Sequence, residues 1–238
     1  MVPTRVVSLV PSLTEAIAVT VPGALVGATD WCTHPAGLDV TRVRGTKSPD
    51  LDAVIALGPD LVVTNREENR PQDVESLRLA GLAVHETDPV TVPQALDQLR
   101  TLLDLLGATG VAWLDEAEAA WHVPYAGPRR RAVVPIWRRP WMALGRATFA
   151  GDVLARLGVD NVLAGHGERY PRIDLADLPP HDLVVLPDEP YAFGPDDGPE
   201  AFPGVACALV SGRHLTWYGP SLVEAPEVLR AQVAAAKG

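Results

Sequence analysis

Two cysteines in 238 residues are too few for a disulfide framework. Cys207 lies in the small apolar run Gly204-Val205-Ala206-Cys207-Ala208-Leu209, where a buried inert thiol is expected. Metal-ligand spacing is just as sparse. Cys32 and His34 make a Cys-x-His pair, but structural zinc normally needs four ligands and no second pair such as Cys-x-x-Cys or His-x-x-x-His follows. No metal-ion site is expected. Basic blocks are missing apart from Arg129-Arg130-Arg131, and at a net charge of -10 the chain is a poor partner for nucleic acid or an anionic membrane surface. No apolar run approaches the length of a membrane span, so no membrane insertion is expected. Catalytic signatures are also lacking: there is no Gly-x-Ser-x-Gly elbow, phosphate loop, dinucleotide glycine signature or His-Glu-x-x-His. Glu67-Glu68 is a carboxylate pair of neighbours on a loop, which reads as solvated and not catalytic. The first strand begins almost at Met1, with no leader pattern and no anchor cysteine ahead of it, and a cytoplasmic location is the expectation.

What the chain does have is an internal repeat. Asp50-Leu51 followed by Pro59-Asp60-Leu61-Val62-Val63 recurs as Asp174-Leu175 followed by Pro180-His181-Asp182-Leu183-Val184-Val185. Arg5-Val6-Val7 likewise recurs as Arg131-Ala132-Val133, a spacing of roughly 125 residues that is far longer than a solenoid period. Two similar lobes are implied. At 47% hydrophobic and 21% charged, the chain can bury the cores that two lobes need. Strand and helix patterns alternate, which predicts α/β lobes with parallel-sheet cores. Strands are expected at Arg5 to Val10, Leu25 to Ala28, Leu61 to Thr64, Leu82 to His85, Ala132 to Trp137, Asn161 to Leu163, Leu183 to Leu186 and just before Trp217-Tyr218-Gly219. Ser12, with Glu15 three residues on, reads as the N-cap of the first helix. Helical spacing from Pro93 to about Leu106, and again from Val111 to Trp121, places helices where the half-repeats join. The domain division is therefore an N-terminal lobe over 1-90, a connecting helical segment over 91-128 and a C-terminal lobe over 129-238. A helical connection favours a rigid clamp.

Each lobe runs a buried strand into a polar loop, Asn65-Arg66-Glu67-Glu68-Asn69 in the first and Asp188-Glu189-Pro190-Tyr191-Ala192-Phe193 in the second. Facing loops of this kind form a cleft, the usual place for a ligand. Trp31, Trp137, Trp141, Tyr191, Phe193, Trp217 and Tyr218 all fall in or beside strand-end loops, where flat aromatic faces suit a macrocycle or an aromatic chelate. Arg66, Arg138 and Arg146 are candidates for the carboxylates or phosphates of an anionic ligand, with Glu67 beside them. His34 is a candidate hydrogen-bonder or axial ligand to a bound chelate, and His166 carries a similar role in the second lobe.

Several motifs in this order resemble a known family. Arg5-Val6-Val7-Ser8-Leu9-Val10-Pro11-Ser12-Leu13-Thr14-Glu15, Gly58-Pro59-Asp60-Leu61-Val62-Val63, Arg169-Tyr170-Pro171, Glu189-Pro190-Tyr191-Ala192-Phe193 and Trp217-Tyr218-Gly219 are similar to the helical-backbone, class III substrate-binding proteins of ABC importers. That resemblance covers essentially the whole chain. It implies non-enzymatic binding of a corrinoid or related metal chelate, namely cobalamin, haem or a ferric siderophore, as carrier, sensor or substrate-binding component. It also implies docking on an importer permease through an acidic residue of each lobe. Glu189 fits the second-lobe position, and the first falls near Pro71, with Glu67, Glu68 and Asp73 close by. The chain departs from the family pattern in its joining helix, which Pro124, Gly127 and Pro128 end early, and in the first docking position, where Pro71 stands. It also shows no pattern of the signal segment or anchor cysteine that the family carries. The alternative from another class is a cytosolic enzyme or ligand-responsive regulator on the same scaffold.

Overall fold

The computed structural model describes residues 2–238. It divides into two compact units. Unit 1 comprises the chain up to Asp88, Ala95–Asp115 and Tyr218–Pro220; unit 2 comprises Pro89–Gln94, Glu116–Trp217 and Ser221–Gly238.

In unit 1 the chain runs through β1 (Val6–Ser8), α1 (Pro11–Thr20), β2 (Leu25–Ala28), β3 (Thr41–Arg42), the short antiparallel pair β4 (Arg44–Gly45) and β5 (Ser48–Pro49), α2 (Leu51–Ala56), β6 (Leu61–Asn65), α3 (Pro71–Leu79) and β7 (Val84–Thr87). Two helices follow, α4 (Val92–Leu105) and α5 (Ala112–His122). Five strands form one parallel sheet in the order β3-β2-β1-β6-β7. Its central strands β1 and β6 are buried along their whole length, which is why both read as unbroken apolar runs. Val7, Leu9, Val54, Val62 and Leu77 pack into one core beneath them.

Unit 2 repeats the plan with β8 (Arg130–Val133), the hairpin β9 (Pro135–Arg138) and β10 (Trp141–Ala143), α6 (Phe149–Arg156), β11 (Val159–Asn161), β12 (Leu183–Pro187), β13 (Ala206–Val210), α7 (Gly212–Thr216) and α8 (Ala225–Ala234). The parallel sheet has the order β11-β8-β12-β13, the counterpart of β2-β1-β6-β7. The α/β architecture with parallel-sheet cores expected from the repeat is what the chain adopts.

The repeated residues do the same job in each unit. Asp60 Oδ2 accepts from the backbone N–H groups of Thr4 (2.9 Å) and Arg5 (3.0 Å), tying the start of β6 to the start of β1. Asp182 Oδ2 accepts from the Arg131 N–H (3.2 Å), while its Oδ1 accepts from Arg130 Nε (2.7 Å), tying β12 to β8. Asp50 caps α2 through the Ala53 N–H (3.1 Å), and Asp174 accepts from the Ala176 N–H (3.0 Å) at the matching point.

Three local expectations are corrected. The first helix begins at Pro11 with Val10 as N-cap, and Ser12 lies buried in its first turn. Proline has no N–H to leave unpaired and a φ already suited to N1, so it starts the helix one residue before the serine could cap it. The strand expected across Ala132 to Trp137 is two strands, because Pro135 cannot donate to a central ladder and the chain leaves the sheet there. The strand expected just before Trp217 lies earlier, in the Cys207 run, and Gly212–Thr216 is helical. The small apolar run around Cys207, expected to bury an inert thiol, forms an edge strand paired on its inner side with β12.

The Asp60 clamp makes the stability of unit 1 dependent on pH. Backbone N–H groups of Thr4 and Arg5 hold its carboxyl below the usual range. A depressed folded-state pKa contributes stability that is present above the unfolded pKa and is lost as pH falls through the folded one. The difference in thermal midpoint between the wild type and Asp60→Asn should therefore shrink as the pH is lowered through the acid range. A difference that stayed constant from neutral to strongly acid pH would contradict this clamp.

Candidate functional site

A strand that ends must hand its backbone hydrogen bonds to other partners. At the end of β6 two carboxamides take them. Asn65 Oδ1 accepts from the N–H groups of Glu67 (2.8 Å) and Glu68 (3.1 Å), the turn that asparagine side chains favour. Asn69 Oδ1 accepts from the Asn65 N–H (2.9 Å), and its Nδ2 donates to the carbonyls of Leu9 (3.2 Å) and Thr46 (3.0 Å). Asn65 Nδ2 donates to the Tyr218 hydroxyl (2.7 Å) and to the Thr87 carbonyl (3.0 Å). The Thr87 hydroxyl donates to the Thr64 carbonyl (3.1 Å), which leaves the Tyr218 phenol, 2.8 Å away, as donor to Thr87. Burial pushes the Tyr218 phenol well above its usual range, and its bonds to Thr87 and Asn65 offset only part of that. Gly219 follows because the segment crosses α1 closely: a Cβ there would lie 2.9 Å from the Ser12 carbonyl oxygen.

This network determines what the first polar loop presents. Arg66 is exposed, with Asp88 at 3.9 Å, and Glu67 is half-buried while its carbonyl accepts from Lys47. Tyr218, read from the sequence as a ligand contact, is 6% exposed and its hydroxyl is engaged on both sides. Trp31 is the opposite case: 66% of it is exposed, on the loop between β2 and β3, with His34 three residues on and hydrogen-bonded to the Thr33 hydroxyl (3.2 Å).

In unit 2 five of the candidate residues come together. The Trp141 ring stacks on Phe193 (centroids 6.0 Å apart, planes at 6°), Tyr191 lies 4.6 Å from Phe193, and Trp137 meets Tyr191 edge-on at 5.6 Å. Arg138 sits 5.4 Å over Trp141 and forms ion pairs with Asp197 and Glu200. The Tyr191 hydroxyl donates to Asp197 (2.6 Å). The N–H of Gly198, and then Arg138, hold the Glu200 carboxyl below its usual range. Phe193 belongs to the buried core with Val184, Leu186 and Phe202, whereas Trp137 keeps 43% of its surface open. The Arg138 fork is thus already occupied by carboxylates, and Trp137 carries the open aromatic face. Arg146 and His166 are exposed on their own loops, and His166 Nδ1 accepts from the Glu168 N–H (3.0 Å).

Trp217 and Glu189 form a separate pair. Trp217 is 9% exposed, its Nε1 donates to Glu189 Oε2 (3.0 Å), and the Arg213 guanidinium lies 5.9 Å over its ring. Gly212 permits this packing, since a Cβ there would lie 2.5 Å from the Glu189 Cβ. Sequence reasoning missed Asn65, Asn69, Asp197 and Glu200, although an asparagine at the end of a strand was a readable signal for a turn. Among the described residues no group of three or more His, Cys, Asp or Glu side chains is placed to hold a metal ion. No helix among them is long and apolar enough to cross a membrane.

The Tyr218 hydroxyl bonds can be tested directly. Tyr218→Phe should lower unfolding stability by about 1–3 kcal/mol, the usual cost of leaving buried polar partners unmatched. Denaturant titration measures it, and unchanged stability would show that the phenol is dispensable.

No family model matches the chain. The vitamin B12-binding protein of Salmonella typhi is 28% identical over 184 residues, covering 71% of this chain and 66% of that relative, so the matched stretch spans just under two thirds of the relative's length. The crystal structure of the periplasmic vitamin B12-binding protein of Vibrio cholerae superposes with a TM-score of 0.77 at 16% identity, over 98% of this chain and 97% of that one. A periplasmic haem-binding protein from Pseudomonas aeruginosa superposes at 0.73 with 23% identity, over 99% and 94% of the two chains. All three are binding proteins. They also correct the expected cytoplasmic location: the two solved neighbours are periplasmic and point to an extracytoplasmic place. An early first strand is a property of the folded unit and carries no information about compartment. In sequence the chain is similar to vitamin B12-binding proteins, and its fold is the one that the solved periplasmic vitamin B12- and haem-binding proteins share.

Proposed function

We propose that this protein binds a corrinoid or related metal chelate (cobalamin, haem or a ferric siderophore) without transforming it, as the extracytoplasmic substrate-binding component of an ABC importer. The observation that carries this reading is the 184-residue alignment with a vitamin B12-binding protein. Open aromatic surface supports it. Trp31, on the loop between β2 and β3, and Trp137, on β9, are 66% and 43% exposed, large rings left in water where a flat macrocycle gains contact area. Arg66 and His34 stand on the strand-end loops of unit 1 as polar partners for substituents of such a ligand. Glu189 is the docking carboxylate toward the permease: it is exposed, and the Trp217 indole N–H sets its direction.

Titration with cyanocobalamin and, separately, with haemin should quench tryptophan emission saturably. Trp31→Ala and Trp137→Ala should each weaken binding by about 1–3 kcal/mol, roughly 5- to 150-fold, without unfolding the protein. Full affinity in both variants would remove these rings from the site, and absence of saturable binding to either compound would sink the proposal.

Docking is tested apart from binding. Glu189→Ala should leave ligand affinity within about twofold and reduce importer-dependent uptake, because the change lies at a rim charge. Unaltered uptake would take the docking role away from Glu189.

A further inference from the structure

An exposed tryptophan is useful to a ligand only if its backbone is held. The loop that carries Trp31 has no regular structure from residue 31 to residue 39 apart from turns, so its order must come from side chains. Arg42, on the edge strand β3, supplies it. Its Nη1 donates to the carbonyls of Thr29 (2.9 Å) and Cys32 (2.9 Å), and its Nη2 to that of Leu38 (3.1 Å). One guanidinium therefore gathers the residues on either side of Trp31 and the far end of the loop. The neighbouring side chain is anchored inward: Cys32 is fully buried, its Sγ lying 3.1 Å from both the Thr14 and the Thr29 hydroxyls. The Asp30 N–H donates to the Arg44 carbonyl (2.8 Å). With Cys32 turned in and Asp30 tied down, the Trp31 side chain is directed out, alongside Gly45, where an added Cβ would come within 3.4 Å of the indole Nε1.

We propose that Arg42 is a positioning residue for ligand binding, acting through the main chain to hold Trp31 ready before the ligand arrives. This rests on the binding function proposed above. Preorganisation raises affinity by removing the entropy cost of ordering a loop on binding. Only an arginine meets the requirement, since its planar fork presents fixed donors to several carbonyls at once, whereas a lysine ammonium is a single point.

Two measurements on Arg42→Met and Arg42→Lys test this. In protein labelled with fluorotryptophan, the 19F resonance of Trp31, identified by its loss in Trp31→Phe, should shift or broaden in both variants while the other tryptophan signals stay in place. Cyanocobalamin affinity should fall about tenfold in Arg42→Met and partly recover in Arg42→Lys. In a Trp31→Ala background, Arg42→Met should change affinity by less than about twofold, because the ring it positions is gone. An unmoved Trp31 resonance, or an equal loss of affinity in both backgrounds, would overturn the inference. Should the wild type bind neither cyanocobalamin nor haemin, the binding function falls and takes this role of Arg42 with it, while the NMR arm still decides whether Arg42 holds Trp31.

Discussion

The end of β6 is a point where a buried backbone has to stop being a strand, and unit 1 is organised around the two carboxamides that make this tolerable. Asn65 and Asn69 are almost fully buried, yet their polar atoms reach the main chain of Leu9, Thr46, Thr87 and their own loop. An unmatched polar group at that depth would cost more than any single contact returns. The same solution serves unit 2 at the end of β11, where Asn161 Nδ2 donates to the carbonyls of Leu144 (2.9 Å) and Gly145 (3.1 Å). In both units an asparagine converts a strand end into a shaped loop.

Much of this was legible in the residues. The Asp-Leu and Asp-Leu-Val-Val repeats placed the matching capped turns and strands, because a central parallel strand must be apolar on both faces and the residue that clamps its start here is acidic. The aromatic set was visible, but its division was not. Trp31 and Trp137 are open, whereas Phe193 is core and Tyr218 is a hydrogen-bonded plug. Local sequence cannot separate these cases, since the partners of Tyr218 lie more than a hundred residues away. The edge strand at Cys207 was hidden for a different reason: its alanines and cysteine lack the branched side chains that mark a strand.

Arginine chemistry follows the same logic of prior commitment. A guanidinium in an acidic protein reads as a receptor for anions, but Arg138 is matched by Asp197 and Glu200, and Arg42 is occupied with carbonyls. These two arginines act as brackets for the aromatic residues beside them. That assigns them to the shape of the surface more than to its charge.

The composition of unit 1 has a consequence for biosynthesis. Its sheet is finished by residue 87, but Tyr218–Pro220 belong to it as well, and the Tyr218 phenol meets Asn65 across 153 residues of chain. As the polypeptide leaves the ribosome, the N-terminal sheet emerges long before this tyrosine is made. Until then the Asn65 carboxamide and the Thr87 hydroxyl lack that phenol as a partner, and the fold of the first unit is sealed only once Tyr218 has been made.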